Sequence, residues 1–329
     1  MPPKVILIGG TGFLGTFAVR EMRQRGWEVT SVGLAPVPRE QNDDPQVHVV
    51  EQDFTRLDDP ALLALLRGHT ALVFAAGADD RLTPNRPCYP FFKAANVDAL
   101  ERLLRLAKPA GITRAVALGS YFTYFNRQWP HLKLTERHPY IRSRVEQQRV
   151  AFAAAAPEIE LSFLELPYIF GAAPNRLPLW APLLDYLRST QTIYYTRGGT
   201  ACVSVKAVGQ AIAGAVEKGR GGQAYPIGEV NLTWGQMLTR LAKADGRDIR
   251  VVSLPNALLD PALWGLWLVH RLQGKESGLD PRHLLDLQAA ETFFDPAPAQ
   301  AELGFENGLL EGAFAETVAA CPPKTQKRT

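Results

Sequence analysis

The 329-residue chain is 46% hydrophobic and 21% charged, a balance that supports a sizeable core and argues against intrinsic disorder. Its formal charge is only +3, and Lys and Arg alternate with acids without forming a stripe, so nucleic acid is not an expected partner. Cys88, Cys202 and Cys321 are odd in number, far apart and without metal-ligand spacing, which argues against a disulfide framework or a zinc site and suits a reducing cytoplasm.

Met1 to Ile8 ends in the apolar run Val5 to Ile8 and passes straight into a glycine turn, so no signal peptide is expected, and no stretch reaches the roughly 20 apolar residues of a membrane span. A cytoplasmic protein is expected. Short β-branched runs then recur at Val29 to Val32, Val47 to Val50, Ala71 to Phe74, Ala115 to Leu118 and Leu161 to Leu164. Between them lie helical patterns near Phe13 to Arg25, Pro60 to Leu66, Phe91 to Ala107 and Ile141 to Ala156, with Gly26, Gly68 and Gly111 placed as stops. This alternation predicts an α/β fold, a doubly wound parallel sheet of the Rossmann type.

Residues 1–170 are expected to form the dinucleotide-binding core and 171–321 mainly a smaller substrate-binding portion. There Pro174, Pro178 and Pro182 break up an aromatic stretch, and helices follow around Val205 to Glu217 and Thr233 to Ala244. The apolar segment Leu258 to Leu272 is expected to be a core helix or else a lid over an apolar cleft. Residues 322–329 are polar, basic and proline-led, and are expected to form a frayed, disordered tail.

Directly after the first run stands Gly9-Gly10-Thr11-Gly12-Phe13-Leu14-Gly15, ahead of a helical pattern. Such glycines allow a tight turn, let backbone amides approach a pyrophosphate, and bring the helix close to the strand, while the helix N-terminus favours negative charge. The strand before and helix after give this spacing its meaning, and a bound nicotinamide dinucleotide is the expected consequence. About 20 residues on, where an acid would take the ribose hydroxyls of NAD, stand Gly33 and Leu34. Arg39 is a candidate for a 2′-phosphate and Asp43 or Asp44 for a hydroxyl, all three also being ordinary loop residues. NADP or NAD is expected, with a slight lean to NADP.

Further along, Glu51-Gln52-Asp53-Phe54 follows the third strand, Phe74-Ala75-Ala76-Gly77 ends the fourth, and Ala95-Asn96-Val97 lies in the next helix. Leu118-Gly119-Ser120-Tyr121 ends the fifth strand, Tyr140-Ile141-Arg142-Ser143-Arg144 opens a helix, and Leu166-Pro167-Tyr168-Ile169-Phe170-Gly171 ends the sixth strand. The four-residue spacing puts Tyr140 and Arg144 on one helical face, where a cation can act on the phenol.

These motifs resemble the extended short-chain dehydrogenases/reductases, specifically the NAD-dependent epimerase/dehydratase branch, along nearly the whole chain. The resemblance implies that Asp53, with Phe54, lies beside the adenine, that Ala75, Ala76 and Gly77 pass along the dinucleotide, and that Asn96 braces the site. It implies Ser120 as hydrogen-bond partner of the reacting oxygen, Tyr140 as general acid/base, and Pro167, Tyr168 and Ile169 over the nicotinamide. Arg144 stands where the family keeps lysine. Arginine retains the charge but has no accessible neutral form, so it cannot relay a proton and would orient the ribose differently.

The expected substrate is a small carbonyl or alcohol compound, apolar or aromatic given Trp180, Tyr194 and Tyr195, with Arg81, Arg86 and Arg176 as candidates for an acidic group. A nucleotide sugar stays open. A net oxidoreductase leads; an epimerase or dehydratase using its cofactor transiently, and a non-catalytic dinucleotide sensor in which Arg144 marks lost chemistry, are the alternatives. Of the histidines only His138 stands near the proposed site, and a homodimer would suit every reading.

Overall fold

All six apolar runs become parallel strands in the computed structural model, which describes residues 2–174 and 176–323. They are β1 (Lys4–Ile8), β2 (Glu28–Gly33), β3 (Val47–Glu51), β4 (Ala71–Phe74), β5 (Arg114–Ser120) and β6 (Glu160–Leu166). After β7 (Tyr168–Phe170), β8 (Thr192–Thr196) and β9 (Gly199–Ser204), the chain returns to the main sheet with β10 (Ala224–Pro226). The resulting order is β10-β6-β5-β4-β1-β2-β3, with every pair parallel.

Helices cover both faces of this sheet, which is why its strands are continuous apolar runs without alternation. Phe13–Gln24 and Val205–Lys218 pack on one face around Val5, Leu7, Val73 and Val116. Asp59–Leu66, Ala99–Ala110 and Pro139–Ala155 pack on the other around Ile6, Ile8, Phe74 and Phe163. Gly26, Gly68 and Gly111 all have positive φ, as a left-handed helix stop requires. The order reverses between β1 and β4, so the crevice at their carboxyl ends is the topological switch point where such sheets bind ligands.

The part after residue 170 is interleaved with this core, because Val205–Lys218 and β10 both belong to the sheet layer. The remainder is built on β9, which pairs in parallel with β7 and β13 (Glu291–Thr292) and antiparallel with β11 (Val230–Thr233), while β12 (Arg250–Leu254) pairs with β8. Thr233 caps the Trp234–Ala244 helix in a capping box with Gln236. A separate apolar cluster around Phe170, Trp234, Leu238 and Phe314 holds this layer together.

Two expectations change. The helix read as Phe91 to Ala107 is Tyr89–Phe92 and Ala99–Ala110 with a π-helical stretch, Lys93–Asp98, between them; hydrophobic spacing alone does not reveal the extra residue of a π-turn. The segment expected as a core helix, or else a lid, is a helix, Asn256–Leu272, with no buried residue, which overturns the core-helix reading. An apolar composition shows that a helix lacks a polar face, but burial also requires a partner surface. The Pro281–His283 turn and the Leu284–Gln288 helix pack against it. Residues 324–329 of the expected tail lie outside the described residues.

Candidate active site

Four strand ends supply the floor of the switch-point crevice: Gly9 after β1, Ala75 after β4, Ser120 at the end of β5 and Pro167 after β6. Gly9 has φ +89° and lies so close to Ala75 that a Cβ there would sit 2.7 Å from the Ala75 carbonyl oxygen. A Cβ at Gly15 would run into the Gly9 carbonyl oxygen, so only glycine lets the Phe13–Gln24 helix start this near the turn. Gly12 caps that helix without any side-chain hydrogen bond, leaving the first-turn amides of Phe13, Leu14 and Gly15 without a side-chain acceptor. These amides, aimed past a turn that excludes side chains, fit a dinucleotide pyrophosphate.

Two residues hold the turn from outside. Gln41, buried, donates from Nε2 to the Gly10 carbonyl at 2.8 Å and accepts from Ser31 Oγ at 2.7 Å. Arg176 donates from Nη2 to the Thr11 carbonyl at 2.9 Å, which brings a guanidinium to the rim of the cradle. Thr11 itself donates to the Leu34 carbonyl at 3.0 Å, and a Cβ at Gly33 would collide with the Thr11 hydroxyl. Gly33 is therefore required by the packing of the turn.

The adenine end is less committed. Asp53 Oδ1 accepts from the Thr55 amide at 3.0 Å and caps the Phe54–Arg56 turn; the Thr55 bonds are the main cause that lowers its pKa. Phe54 stands edge-on to Phe74, 6.3 Å between centroids. The Arg39 side chain is 91% exposed and pairs with Asp43 at 3.1 Å, while Asp44 pairs with Arg23 at 3.2 Å.

At the other end Tyr140 and Arg144 meet as their spacing predicts. Arg144 Nε donates to Tyr140 Oη at 3.1 Å, Nη1 to Gln147 Oε1 at 3.0 Å and Nη2 to the Ala78 carbonyl at 3.0 Å. Both side chains are buried. Burial raises the Tyr140 pKa, while Arg144 and a hydrogen bond with Ser120 act in the opposite direction. The net shift is upward, so the expected lowering by the cation is outweighed by desolvation. The phenol is therefore protonated at neutral pH.

Ser120 is buried and accepts from the Phe122 amide at 3.3 Å. Asn96, in the π-helical stretch, is fully paired: Oδ1 accepts from the Ala78 amide at 2.8 Å, and Nδ2 donates to the Ala78 carbonyl and to Ser143 Oγ, each at 3.2 Å. It thus ties the loop after β4 to the helix carrying Tyr140. Gly77, at φ +127°, has no room for a Cβ beside Asn96 Oδ1, 2.6 Å away.

Aromatic rings close the crevice. Tyr121, whose hydroxyl lies 3.2 Å from Thr200 Oγ1, packs against Phe122, Phe125 and Tyr168. Tyr168 stacks on Trp180 and meets the Trp234 ring, and burial raises its pKa well above the ordinary tyrosine value. Pro167 leads into β7, and Ile169 packs with Phe17 and Val205 beside the glycine turn. Tyr194 is exposed, and Arg81 pairs with Asp79.

Asp80 was not among the residues singled out by sequence. Burial and the neighbouring Asp79 raise its pKa, and its charge acts on Tyr140, Tyr121, Tyr168 and Arg144. The only sequence signal was the acid pair Asp79-Asp80, two and three residues past Gly77, and the fold decides which member acts on the site. Glu165 was likewise missed: wholly buried in β6, it accepts from Arg127 at 2.7 and 2.8 Å and fixes the helix that follows Ser120.

No curated protein matches the chain. Among solved structures, gox2253 aligns at TM-score 0.77 with 20% identity, covering 97% of this chain and 98% of that one. dTDP-glucose 4,6-dehydratase from Streptomyces venezuelae aligns at 0.67 with 21% identity, covering 96% of each chain. UDP-glucose 4-epimerase from Thermotoga maritima aligns at 0.67 with 15% identity, covering 96% and 98%. At these identities the likeness establishes the shared fold. The family model for NAD dependent epimerase/dehydratases matches residues 5–228, and the chain accordingly belongs to the NAD dependent epimerase/dehydratase family, as an enzyme of the extended short-chain dehydrogenase type.

Proposed function

We propose that this enzyme exchanges a hydride at a carbon bearing a hydroxyl or carbonyl oxygen, with Tyr140 moving the proton of that oxygen. The observation that carries this reading is the buried contact of 3.1 Å between Arg144 Nε and Tyr140 Oη, with the Ser120 hydroxyl near enough to act on the phenol's pKa. Gly9, Thr11, Gly12, Phe13, Leu14 and Gly15 would hold the pyrophosphate, with Asp53 and Phe54 towards the adenine. Ala75, Ala76, Gly77, Asn96, Pro167, Tyr168 and Ile169 would line the dinucleotide, and Tyr140 and Arg144 would reach the nicotinamide ribose. When bound, the nicotinamide supplies or accepts the hydride.

Tyr140 then donates its proton to the substrate oxygen as a carbonyl is reduced, or takes it as an alcohol is oxidised. Arg144 stabilises the resulting phenolate by its fixed charge and hydrogen bond. Ser120 orients the same oxygen, and the aromatic wall of Tyr121, Phe122 and Tyr168 excludes water. That wall supports a small apolar or aromatic carbonyl or alcohol as substrate. The absence of a carboxylate at Gly33 supports a preference for NADP, with Arg39 as the residue that would read the 2′-phosphate.

A second reading, transient use of the cofactor in an epimerisation or dehydration, is supported by family membership and by fold relatives that are a UDP-glucose 4-epimerase and a dTDP-glucose 4,6-dehydratase. A panel of carbonyls, alcohols and nucleotide sugars, followed both at the nicotinamide absorbance and by NMR of the products, separates the two. Net absorbance change supports the first reading, and product without it the second. Tyr140→Phe should cut either turnover by a factor of about 10² to 10⁴; undiminished turnover refutes the role given to Tyr140.

A further inference from the structure

The Asn256–Leu272 helix inverts the ordinary amphipathic arrangement. Its half-buried side carries Asn256, Leu259, Leu263, Trp267 and His270, all recurring at helical spacing. On the opposite side stand Leu258, Pro261, Ala262, Gly265, Val269 and Leu272, also at helical spacing and all exposed. Leu258 is 65% exposed, Leu272 80%, and Trp264 on the flank 52%. A helix against water would place charges on that outward side, yet its only acid, Asp260, lies off it.

Cations gather where this apolar strip ends. A cavity of about 450 Å³ opens beside the helix, walled by its own Trp267, His270 and Arg271, and carries five Arg or Lys side chains against three carboxylates. Arg137 and Arg282 are paired with Asp286 and Asp280. Arg86 and Arg271 have no acidic partner among the described residues. The Arg282 guanidinium lies 5.7 Å from the ring centroid of Trp264, on the flank of the strip, and 4.5 Å from that of Trp267, on the cavity side, so a cation between two indoles stands between the apolar strip and the cavity.

We propose that this face docks the enzyme on an anionic lipid surface, the outward side of the helix entering the boundary of the acyl region and the cationic cavity receiving headgroup phosphates. An apolar strip flanked by tryptophan and cations is the pattern of a helix that lies in the membrane interface. At 17 residues the helix is about 25 Å long, too short to span, and no helix among the described residues is long and apolar enough to cross a membrane. A second copy of the chain would bring the same excess of cations over carboxylates, whereas phosphatidylglycerol supplies the opposite charge and the apolar phase together.

The test is co-sedimentation of the full chain with phosphatidylcholine vesicles, with and without phosphatidylglycerol. Binding should need the anionic lipid and weaken with salt. Val269→Glu should reduce partitioning about tenfold or more by placing a charge on the strip, and Arg271→Glu should weaken binding and flatten its salt dependence. Circular dichroism and dinucleotide affinity report whether each variant is folded. Binding that ignores the anionic lipid, or equal binding by folded Val269→Glu, overturns the proposal. So does a wild-type dimer in ultracentrifugation that Val269→Glu dissociates while vesicles capture neither protein.

Discussion

His138 gives the helix that carries Tyr140 and Arg144 a measurable dependence on acid. It precedes Pro139 at the start of that helix and is wholly buried; its Nδ1 accepts from the Asp280 amide at 3.0 Å, and its buried Nε2 has no partner. Burial lowers its pKa from the ordinary 6.5 to about 4, with His283 and Arg137 pushing the same way and Asp280 opposing them. The unfolded chain therefore binds this proton near pH 6.5 and the folded protein only near pH 4, so stability present at neutral pH is lost as pH falls between those values. The loss at this one site comes to about 2 kcal/mol by pH 5 and about 3 kcal/mol by pH 4. His138→Asn replaces the Nδ1 acceptor with an amide oxygen that does not titrate. Urea unfolding of both proteins from pH 7 to pH 4 should show the wild type losing its advantage by that amount. Parallel stability curves across the range would show that His138 is not held neutral and that the burial argument is wrong.

In the glycine turn, Gly15→Val should abolish dinucleotide binding by forcing the helix off the Gly9 carbonyl, and Gly12→Val should do so by crowding the cradle; calorimetry on the folded variants checks both, and unchanged affinity removes the basis of the site. Wild-type protein should bind NADP somewhat more tightly than NAD, and Arg39→Ala should erase the difference, whereas tighter NAD binding would point to an acid such as Asp43. Arg144→Lys should retain cofactor binding and part of the turnover, while Arg144→Met should lose most of it; equal activity in Arg144→Met and wild type would make the cation structural.

The sheet was legible because its strands are buried on both faces and so stand out as apolar runs between glycine stops. The glycine turn was legible because its geometry admits no other residue, and Tyr140 with Arg144 because a four-residue spacing fixes a shared helical face. What escaped depended on contacts distant in sequence. Asp80 looks like any acid in a loop until the fold brings it within reach of Tyr140 and Arg144, and Gln41 gains meaning only from reaching back 31 residues to Gly10. The Asn256–Leu272 helix was misjudged for the converse reason: its composition speaks of burial, but only the fold tells whether anything covers it.

Arg144 is where the two sources of information combine. From sequence it is a substitution that keeps a charge and removes a proton relay. In the structure, arginine's five N–H groups supply one bond to Tyr140, two from Nη1 to Gln147 and to the Leu118 carbonyl at 3.5 Å, and one from Nη2 to Ala78. Four of the five are thus engaged. Lysine, with three donors on a single nitrogen, could not span the phenol, the loop after β4 and Gln147 together. The exchange therefore trades a mobile ammonium for a planar head clamped to three elements, which favours fixed electrostatic support of Tyr140 over proton relay. It also explains why removing the charge should cost more turnover than replacing arginine by lysine.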